Sequence, residues 1–520
     1  MELQNLHKRI SRANGCNMSV FNNSGNSYTH FLSRIKVQQF RRLKDLEIEF
    51  EHPVTIISGT NKIGKTSLLL LMACSHENFK KIDSTKPTPT IRNHHWKDVL
   101  SFTKHENVDV DYAYEIDWRI GDKLNKGSGK RLARTRSWSG LGKKAKGRKN
   151  AKIQNREVRL IDLERLLPAR SFSNSLLRKT SYTSKTPLNH EISQAYCYIF
   201  DTPVSTNFEI SEAAGHVNKK CYLINDGINT YSSYNAASGE ESLINLLRDV
   251  IESPQDSLIL IDELEAGLHP SIQRRLAEII QFVSWEHKKQ FIITSHSPTL
   301  IEAFPAKSRK FIEFHNERYE TTSGISPQAA MSKMDAIGHP LIRLFCEDDI
   351  AEFLIKKRLI ELNKTSKNFD RLFQILRSGT ADMVKTDLCR QKHHFDPSLK
   401  MLGYCAVIDG DYANKGGFKE LSLPNENLIF LFPHKAPETF LIEAYLGENP
   451  NAELESFVKT VNKHALFQKM VDLGLASDKG DARNLCYNSF CKTADFTHHQ
   501  QELDNFLHEM EKKFSSFPLE

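Results

Sequence analysis

The sequence predicts an α/β protein made of two successive units, each with a parallel sheet. The chain has 520 residues, which is too long for one ordinary hydrophobic core. Short apolar runs typical of buried strands alternate with segments of helical periodicity, a pattern that indicates strand–helix–strand units. This alternation occurs before residue 305 and again after residue 338, and it is weak in between. We therefore expect a domain junction within residues 305–338.

The composition is that of a soluble globular protein. Apolar residues make up 39% of the chain, and no stretch reaches the roughly eighteen apolar residues that a membrane span needs. The N-terminal sequence MELQNLHKRISRANGC lacks the apolar core of a signal peptide. The nine cysteines contain no CxxC pair, which argues against a zinc ribbon or a disulfide framework. A reduced cytoplasmic location, without membrane contact, is the expectation.

The net charge of +7 is unevenly distributed along the chain. Residues 123–156 contain many lysines and arginines and no aspartate or glutamate. Because like charges repel and glycines disfavour helix, this segment is predicted to be a mobile basic insertion. It is either a solvated loop or a patch that contacts nucleic-acid phosphates without sequence specificity. The second interpretation is favoured, since other features of the chain also point to nucleic acid.

The first unit is expected to begin after a loosely ordered leader, residues 1–27. Residues 165–235 give no clear periodicity. The elements predicted around them are two strands within 33–50 with a turn at Arg41–Lys44, a buried strand Val54–Ile57, a helix from Thr66, an antiparallel strand pair within 107–163 interrupted by the basic insertion, a helix Glu241–Ile251, a strand Ser257–Ile261, a helix Ile272–Val283 and a strand Phe291–Thr294.

The second unit repeats the pattern. Its predicted elements are the strand Leu341–Cys346, the helix Ile350–Leu362, the strand Phe373–Arg377, the helix Asp382–Leu388, the strand Tyr404–Ile408, a strand within 427–432 and the helix Glu438–Tyr445. The last seventy residues are predicted to be helical. The expected division is therefore a first domain at 28–335, a second at 336–450 and a helical C-terminal segment at 451–520.

Residues Gly59–Thr66 read GTNKIGKT and match the phosphate-binding pattern G-x-x-x-x-G-K-[ST]. The glycines let backbone N–H groups approach phosphates, Lys65 reaches the terminal phosphates, and the Thr66 hydroxyl is a ligand for Mg²⁺. The segment follows a predicted strand and opens a predicted helix, as a nucleotide site requires. The predicted ATP-binding residues here are Gly59, Asn61, Gly64, Lys65, Thr66 and Ser67.

Two further segments supply the chemistry that ATP hydrolysis needs. The apolar run LILI is followed by Asp262, which is predicted to hold the magnesium ion, and by Glu263, which is predicted to polarise the attacking water. Thirty-three residues after Glu263, His296 follows another strand and is placed to contact the γ-phosphate or the water. Each feature alone is weak, because acidic pairs and single histidines are common.

A fourth segment, ASGEES, precedes a predicted helix. Ser238 and Gly239 would lie at the helix N-terminus, where unpaired N–H groups and the helix dipole attract an anion. An alternative is a plain capping box formed by Ser238 and Glu241.

The order of these four segments resembles that of the ABC ATPases of the SMC, RecF, Rad50 and OLD kind. The strands of IKVQQFRRLKDLEIEF and the segment ELEAGLHP are similar to segments of those ATPases too. In that group the SGE segment of one subunit closes over ATP held by another. The resemblance implies a homodimer or a higher homo-oligomer formed through the ATPase domains. The chain has no long heptad stretch, so no coiled-coil arm is expected.

Carboxylates also follow two predicted strands of the second unit. Glu347 comes directly after one strand, with Asp348 and Asp349 behind it, and Asp409 and Asp411 follow another. Because the carboxyl ends of parallel strands meet at one edge of a sheet, we expect these acids to lie close together. Such oxygen ligands suit Mg²⁺ or Mn²⁺. The alternative is a set of exposed loop acids.

The acids after the first and third strands, with RSGT after the middle one, resemble a Rossmann-like TOPRIM domain. An ABC ATPase followed by TOPRIM resembles the OLD (overcoming lysogenization defect) family of nucleases, over most of residues 30–450. The metal ligands that the resemblance implies are Glu347, Asp409 and Asp411, with Glu438 as a further ligand or its support. A lysine that stabilises the cleaved phosphate would be Lys492 or Lys479.

The sequence departs from the family in one place. The first TOPRIM motif commonly reads E-G-x-x-D, whereas here Ala351 occupies the fifth position. A ligand is then either missing or replaced by Asp348 or Asp349, so one or two metals are both compatible with the sequence. OLD-like proteins occur alone, beside a helicase, or with retron reverse transcriptases and their RNA/DNA. The compact size and the unusual sequence CEDD at Cys346–Asp349 favour the retron-associated branch.

The expected function is an ATP-regulated, Mg²⁺- or Mn²⁺-dependent DNA endonuclease that acts as an anti-phage effector. The alternative is a non-catalytic, ATP-gated module that binds nucleic acid or a partner through a degenerate TOPRIM domain. Primase or topoisomerase chemistry is disfavoured, because no tyrosine-bearing cleavage domain and no primase zinc motif can be recognised in the sequence.

Overall fold

The chain divides into two compact units, Met1–Ala330 and Met331–Glu520. The computed structural model describes residues 5–15, 28–83, 90–100, 109–142, 152–166, 184–202, 208–214, 220–233, 238–315, 318–335, 338–366, 368–396, 401–413, 427–432, 435–460 and 465–515.

The first unit is a mixed α/β fold, as predicted. Its helices are α1 (Leu6–Asn14), α2 (Lys65–Cys74), α3 (Trp96–Val99), α4 (His190–Phe200), α5 (Ser238–Glu252), α6 (Pro270–His287), α7 (Pro298–Ala303) and α8 (Pro327–Met334), the last of which crosses into the second unit. Its strands are β1 (His30–Phe40), β2 (Leu43–Glu49), β3 (Val54–Gly59), β4 (His76–Asp83), β5 (Thr90–Asn93), β6 (Tyr112–Ile120), β7 (Lys123–Arg131), β8 (Trp138–Gly140), β9 (Ile153–Ile161), β10 (Ser184–Pro187), β11 (Glu209–Ala214), β12 (Lys220–Asn225), β13 (Thr230–Ser232), β14 (Leu258–Ile261), β15 (Gln290–Thr294), β16 (Arg309–His315) and β17 (Arg318–Ser323).

An eight-stranded sheet forms the centre of this unit, in the order β17-β16-β3-β15-β14-β9-β4-β5. The six inner strands are parallel, and β17 and β5 pair antiparallel at the two edges. The strands β3, β14 and β15 are buried along their whole length, which is why they appear in the sequence as short continuous apolar runs. The carboxyl ends of these three strands lie side by side. The phosphate-binding loop begins at the end of β3, Asp262 follows β14, and His296 follows β15.

The boundary between the units lies within residues 305–338, between Ala330 and Met331. Residues 309–315 and 318–323, where periodicity is weak, form β16 and β17 and therefore belong to the central sheet of the first unit. The polar strand β17 lies at the edge of that sheet and is half exposed, so it lacks the apolar signature of a buried strand. The boundary between the units falls inside α8.

The basic insertion is not a mobile loop in its described part. Residues 123–131 form β7, which pairs with β6 over its whole length within a five-stranded antiparallel sheet, β2-β1-β6-β7-β8. Gly129 lacks a side chain where the ring of Tyr114 lies, since a Cβ there would be 2.4 Å from that ring. Residues 143–151 of the insertion lie outside the described residues. The glycines that suggested mobility therefore include one that permits close packing.

The predicted antiparallel pair within residues 107–163 is wrong. Its first half, β6, pairs with β1 and β7 in the five-stranded sheet. Its second half, β9, enters the central sheet and runs parallel to β14 and β4. Alternation along each strand shows that one face is buried, but it carries no information about which strand lies alongside.

The predicted loose leader contains a helix. In α1, Leu6 and Ala13 are fully buried, and Arg9 forms an ion pair with Glu286 of α6. Residues 1–4 and 16–27 lie outside the described residues. In the segment 165–235, which the sequence left unassigned, β10–β13 form a four-stranded antiparallel sheet and α4 lies between β10 and β11 in the chain.

The second unit contains a four-stranded parallel sheet. Its strands are β18 (Ile342–Cys346), β19 (Phe373–Arg377), β20 (Gly403–Asp409) and β21 (Leu428–Leu431), and its helices after α8 are α9 (Asp349–Leu362), α10 (Ala381–His394), α11 (Pro437–Glu448), α12 (Ala452–Thr460), α13 (Leu466–Asp472), α14 (Lys479–Phe490) and α15 (Ala494–Ser515). The strand order is β19-β18-β20-β21, and neighbouring strands are parallel. The chain reverses its direction of progression between β18 and β20, and ligands bind at such a switch point in open α/β sheets.

Among the described residues, no helix is both long enough and apolar enough to cross a bilayer. The cysteines whose side chains the structure describes are all in the thiol form.

Candidate functional site

The loop between β3 and α2 has a backbone conformation that two glycines make possible. Gly59 and Gly64 have φ of +153° and +101°, and Gly64 directly precedes α2. A Cβ on Gly64 would lie 2.6 Å from Cδ2 of the buried Leu43, so both the backbone angle and the available space require glycine. The loop therefore presents its backbone at the N-terminus of α2, where N–H groups attract phosphate. Asn61 is exposed on this loop.

Lys65 is buried beneath the loop. Its Nζ donates hydrogen bonds to the carbonyl oxygens of Gly59 and Thr60, at 3.0 and 3.1 Å. Burial lowers the pKa of Lys65 to about 8, and the nearby carboxylates of Asp262 and Glu263 partly oppose this effect. A phosphate group bound in the loop would carry a negative charge, which would stabilise the protonated form of this buried ammonium group.

Thr66 and Asp262 lie in direct contact. The Thr66 hydroxyl donates to Oδ2 of Asp262 at 2.7 Å, and the Thr294 hydroxyl donates to Oδ1 of the same carboxylate at 2.5 Å. The parallel pairing of β14 with β15 places Thr294 beside Asp262. The two side chains predicted to bind Mg²⁺ are thus adjacent, and their hydroxyl and carboxylate oxygens fit the ligand preference of that ion. The sequence prediction did not include Thr294.

Glu263 and His296 share the same sheet edge. Glu263 has a φ of +47°, which is unusual for a residue with a side chain, and its N–H donates to Thr294 Oγ1 at 2.9 Å. Burial lowers the pKa of His296, with a further lowering from the Lys65 ammonium and an opposing effect from Glu263 and Asp262. The backbone N–H of His296 donates to Glu265 Oε1 at 2.6 Å. His296 is therefore close enough to Lys65, Asp262 and Glu263 for their charges to affect its pKa.

Ser67 lies in α2, whereas the SGE segment lies at the start of α5. Ser67 is buried in α2, and its hydroxyl accepts a hydrogen bond of 3.4 Å from the exposed Arg41 in the β1–β2 turn. Arg41 is a cation beside the loop that the sequence prediction missed. Ser238 begins α5, its side chain lies outside the described part, and Gly239 lies against the carbonyl oxygen of Gly267.

Residues 20–302 match the family model described as "AAA domain, putative AbiEii toxin, Type IV TA system". The chain belongs to this AAA family. Its first unit is accordingly an ABC-type P-loop ATPase domain, and the AAA domain contains all of Gly59–Thr66, Asp262, Glu263 and His296.

No curated protein matches the chain significantly. Among solved structures, the SMC head domain from Thermotoga maritima covers 56% of this chain and 98% of its own length, at 12% identity and a TM-score of 0.33. An Smc head domain with an extended coiled coil from Pyrococcus furiosus covers 58% and 98%, at 11% identity and a TM-score of 0.36. A third structure, an SmcHead bound to the C-winged helix domain of ScpA, covers 58% and 99%, at 14% identity and a TM-score of 0.35.

The AAA family match ends at residue 302 and does not include the second unit. Glu347 directly follows β18 and Asp409 is the last residue of β20, so both lie at the switch point of the parallel sheet. The Asp409 N–H donates to Glu347 Oε1 at 2.7 Å. Glu438 is buried in the first turn of α11.

Asp409 has a strongly perturbed carboxyl group. It is 8% exposed, and its Oδ1 has no hydrogen-bond partner. Burial, together with the carboxylates of Glu347, Asp348, Glu438 and Asp411, raises its pKa to about 9. A buried carboxyl group with carboxylate neighbours is costly unless a cation or a proton compensates it.

The other two acids that directly follow Glu347 have local structural partners. Asp348 is the N-cap of α9, and its Oδ1 accepts hydrogen bonds from the N–H groups of Ile350 and Ala351, at 2.9 and 3.0 Å. Asp349 forms an ion pair with Arg483 of α14. Ala351 is fully buried. The proposed replacement of the missing family aspartate by Asp348 or Asp349 therefore has little support in the geometry.

The lysine candidates lie on the C-terminal helices. Lys492 forms an ion pair with Glu448 at 3.0 Å, and Lys479 is exposed at the start of α14. The choice between them stays a prediction. In the part of the chain that the structure describes, no three acidic, histidine or cysteine side chains are already arranged to hold a metal ion. The donor atoms at the edge of the second sheet thus suit a hard cation, but the acids would have to draw together to bind it.

Proposed function

We propose that this protein is an ATP-controlled, Mg²⁺- or Mn²⁺-dependent DNA endonuclease of the OLD type that acts as an anti-phage effector. The observation that carries this proposal is Asp409, a buried carboxyl group with an unsatisfied oxygen beside Glu347 at the switch point of a parallel sheet. Perturbed acids of this kind are typical of functional sites. The family description, which names a putative toxin of a TA system, is compatible with an effector role.

In the ATPase unit, Lys65 and the loop residues Gly59, Asn61 and Gly64 would hold the phosphates. Thr66 and Asp262, already in contact at 2.7 Å, would hold Mg²⁺. Glu263 would orient the attacking water and His296 would contact the γ-phosphate, each from the edge where the three buried strands end.

In the second unit, Glu347, Asp409, Asp411 and Glu438 would hold a divalent cation and draw together around it. The cation would activate water and stabilise the leaving oxygen of a phosphodiester. Binding by Asp409 requires loss of its proton, because its pKa is about 9 without metal. Binding would therefore be weaker at low pH.

Two features of the first unit support the partners in this proposal. The exposed residues Lys126, Lys130, Arg134 and Arg136 lie on or beside β7 and would contact DNA phosphates. The SGE segment at the start of α5 would close over ATP held by a second copy, which makes a homodimer or higher homo-oligomer the working form. A retron reverse transcriptase with its RNA/DNA is a candidate partner that rests on the sequence resemblance alone.

The test is plasmid nicking with Mg²⁺ or Mn²⁺ in the presence of ATP. Asp409→Ala should abolish nicking. Asp349→Ala is the matched control, because Asp349 is an acid of the same edge that is paired with Arg483, and it should retain nicking. If Asp409→Ala nicks DNA as fast as the wild type, the second unit is not the nuclease.

The second candidate function is a non-catalytic, ATP-gated module that binds nucleic acid or a partner. It is favoured by Ala351 at a ligand position and by acids that are not arranged as a ready ligand set in the described residues. Mn²⁺ titration followed by electron paramagnetic resonance separates the two functions. A nuclease should bind Mn²⁺ at a site that Glu347→Ala removes, whereas a binding module should show no such site.

A further inference from the structure

A buried arginine lies behind the acidic pair of the ATPase site. Arg165 is 7% exposed and lies in the short 3₁₀ turn Leu163–Leu166 that follows β9. Because β9 and β14 are parallel neighbours, this turn emerges beside Asp262 and Glu263. None of the sequence motifs includes Arg165.

Within the described residues, the hydrogen bonds of the Arg165 guanidinium group all go to backbone carbonyl groups. Its Nη1 donates to the carbonyl oxygens of Asp162 and Asp262, each at 3.0 Å, and its Nη2 donates to that of Glu263 at 2.6 Å. The planar fork of an arginine can reach several acceptors at once, which an ammonium group cannot do with the same geometry. Arg165 therefore joins the carboxyl ends of two neighbouring strands.

Glu263 needs such support. Its φ of +47° lies in the left-handed region, which side chains rarely adopt and which persists only where the surroundings hold it. Its N–H is held by Thr294 Oγ1 at 2.9 Å, and its C=O is held by Arg165. The same Thr294 hydroxyl donates to Asp262. Both peptide groups that flank the Glu263 side chain are thus fixed by residues outside its own segment.

We propose that Arg165 is a positioning residue for ATP hydrolysis, which holds Glu263 in its left-handed conformation and so aims the carboxylate at the attacking water. The proposal deepens the function proposed above and rests on the role assigned there to Glu263. Arg165 acts through the Glu263 backbone and does not touch the nucleotide. Its removal should therefore slow turnover without weakening ATP binding.

Steady-state ATPase kinetics and fluorescent-ATP binding on the full chain test this proposal. Arg165→Met should lower kcat by about tenfold or more, because a strained backbone that relaxes misplaces the base. The KM and the Kd for ATP should stay within about twofold, since Lys65 and the loop are untouched. The kcat of Arg165→Lys should lie between those of the wild type and Arg165→Met. If Arg165→Met does not fold, Arg165→Lys is the variant that tests the proposal.

Arg309 provides a matched control. It is also a buried arginine, 4% exposed, and its guanidinium donates to the carbonyl oxygens of Phe304 and Glu302. It begins β16, at the end of that strand opposite to the ATP site. Arg309→Met should lower the melting temperature about as much as Arg165→Met but leave kcat within about twofold.

Three results would overturn the proposal. One is a wild-type kcat in Arg165→Met, and another is an equal loss of kcat in Arg309→Met, which would reduce Arg165 to a stabilising residue. The third concerns Glu263→Gln, which should bind ATP but fail to hydrolyse it. If that variant turns over normally, the role of Glu263 is wrong, and the positioning role of Arg165 fails with it. Loss in Glu263→Gln with a normal Arg165→Met would leave the proposed function intact and reject only the inference.

Discussion

Replacement of Asp409 by asparagine should change how stability depends on pH in the metal-free protein. Burial and the neighbouring carboxylates raise the pKa of Asp409 from 3.8 to about 9, so the folded protein holds a proton at neutral pH that the unfolded chain releases. Stability then falls as pH rises through the window between these two values. The asparagine side chain would mimic the neutral carboxylic acid in shape but would not titrate.

The size of the effect follows from proton linkage. Within the window the folded state binds one more proton than the unfolded state, so the free energy of unfolding decreases by at most about 1.4 kcal/mol per pH unit. Between pH 6 and pH 8 the wild type should therefore lose up to about 2.7 kcal/mol from this group, and Asp409→Asn should not. Because Asp409 is only 8% exposed, solvent screening removes little of this effect.

The measurement is a urea titration in EDTA, read out by hydrogen–deuterium exchange of the peptide that covers β20. This local probe is needed because all four tryptophans, Trp96, Trp118, Trp138 and Trp285, lie in the first unit. Comparison of the wild type with Asp409→Asn at each pH corrects for the intrinsic pH dependence of hydrogen exchange. If the free energy of unfolding changes equally with pH in the wild type and in Asp409→Asn, Asp409 is ionised or solvated. The argument for a metal site would then lose its basis.

Other predictions concern the first unit. Gly64→Ala should weaken ATP binding by about tenfold or more, since a backbone with φ of +101° and a contact of 2.6 Å to Leu43 Cδ2 are both unfavourable. Adding Leu43→Ala should recover only part of the binding in a double-mutant cycle, and full recovery would show that the backbone angle costs nothing. Changing Lys126, Lys130, Arg134 and Arg136 to glutamine should flatten the salt dependence of DNA binding, by up to about 0.9 in slope for each phosphate that is no longer neutralised. The same change at the exposed lysines Lys8, Lys44, Lys97 and Lys307 is the control, and equal effects of the two sets would exclude a specific role for β7.

Predictions made from short segments agreed best with the structure. The strand–loop–helix around Gly59–Thr66 and the strands ending at Ile261 and Thr294 are present as expected. Their apolar runs are continuous, which is typical of strands in a parallel sheet that is covered on both faces. The helix α1 was missed, because its burial depends on α6, which lies more than two hundred residues away in the chain.

The sequence alone does not predict the separate roles of the four acids near β18. Glu347, Asp348, Asp349 and Asp409 all follow apolar strands, and nothing in their spacing separates ligands from structural residues. In the structure, Asp348 caps α9, Asp349 pairs with Arg483, and the backbone N–H of Asp409 donates to Glu347 Oε1. The partners of Asp349 and Asp409 come from other elements, so they cannot be inferred from the neighbours of these residues in the chain.

The sequence by itself determined the phosphate-binding loop, the acids at the strand ends and the α/β alternation, because each is encoded within about ten residues by glycine, charge and apolar period. Tertiary structure alone decided that β7 joins a sheet, that β9 runs parallel to β14, and that Arg165 holds the backbone of Glu263. Strand pairing and buried hydrogen bonds depend on which distant segments pack together, and the free energy of that packing is shared by the whole core.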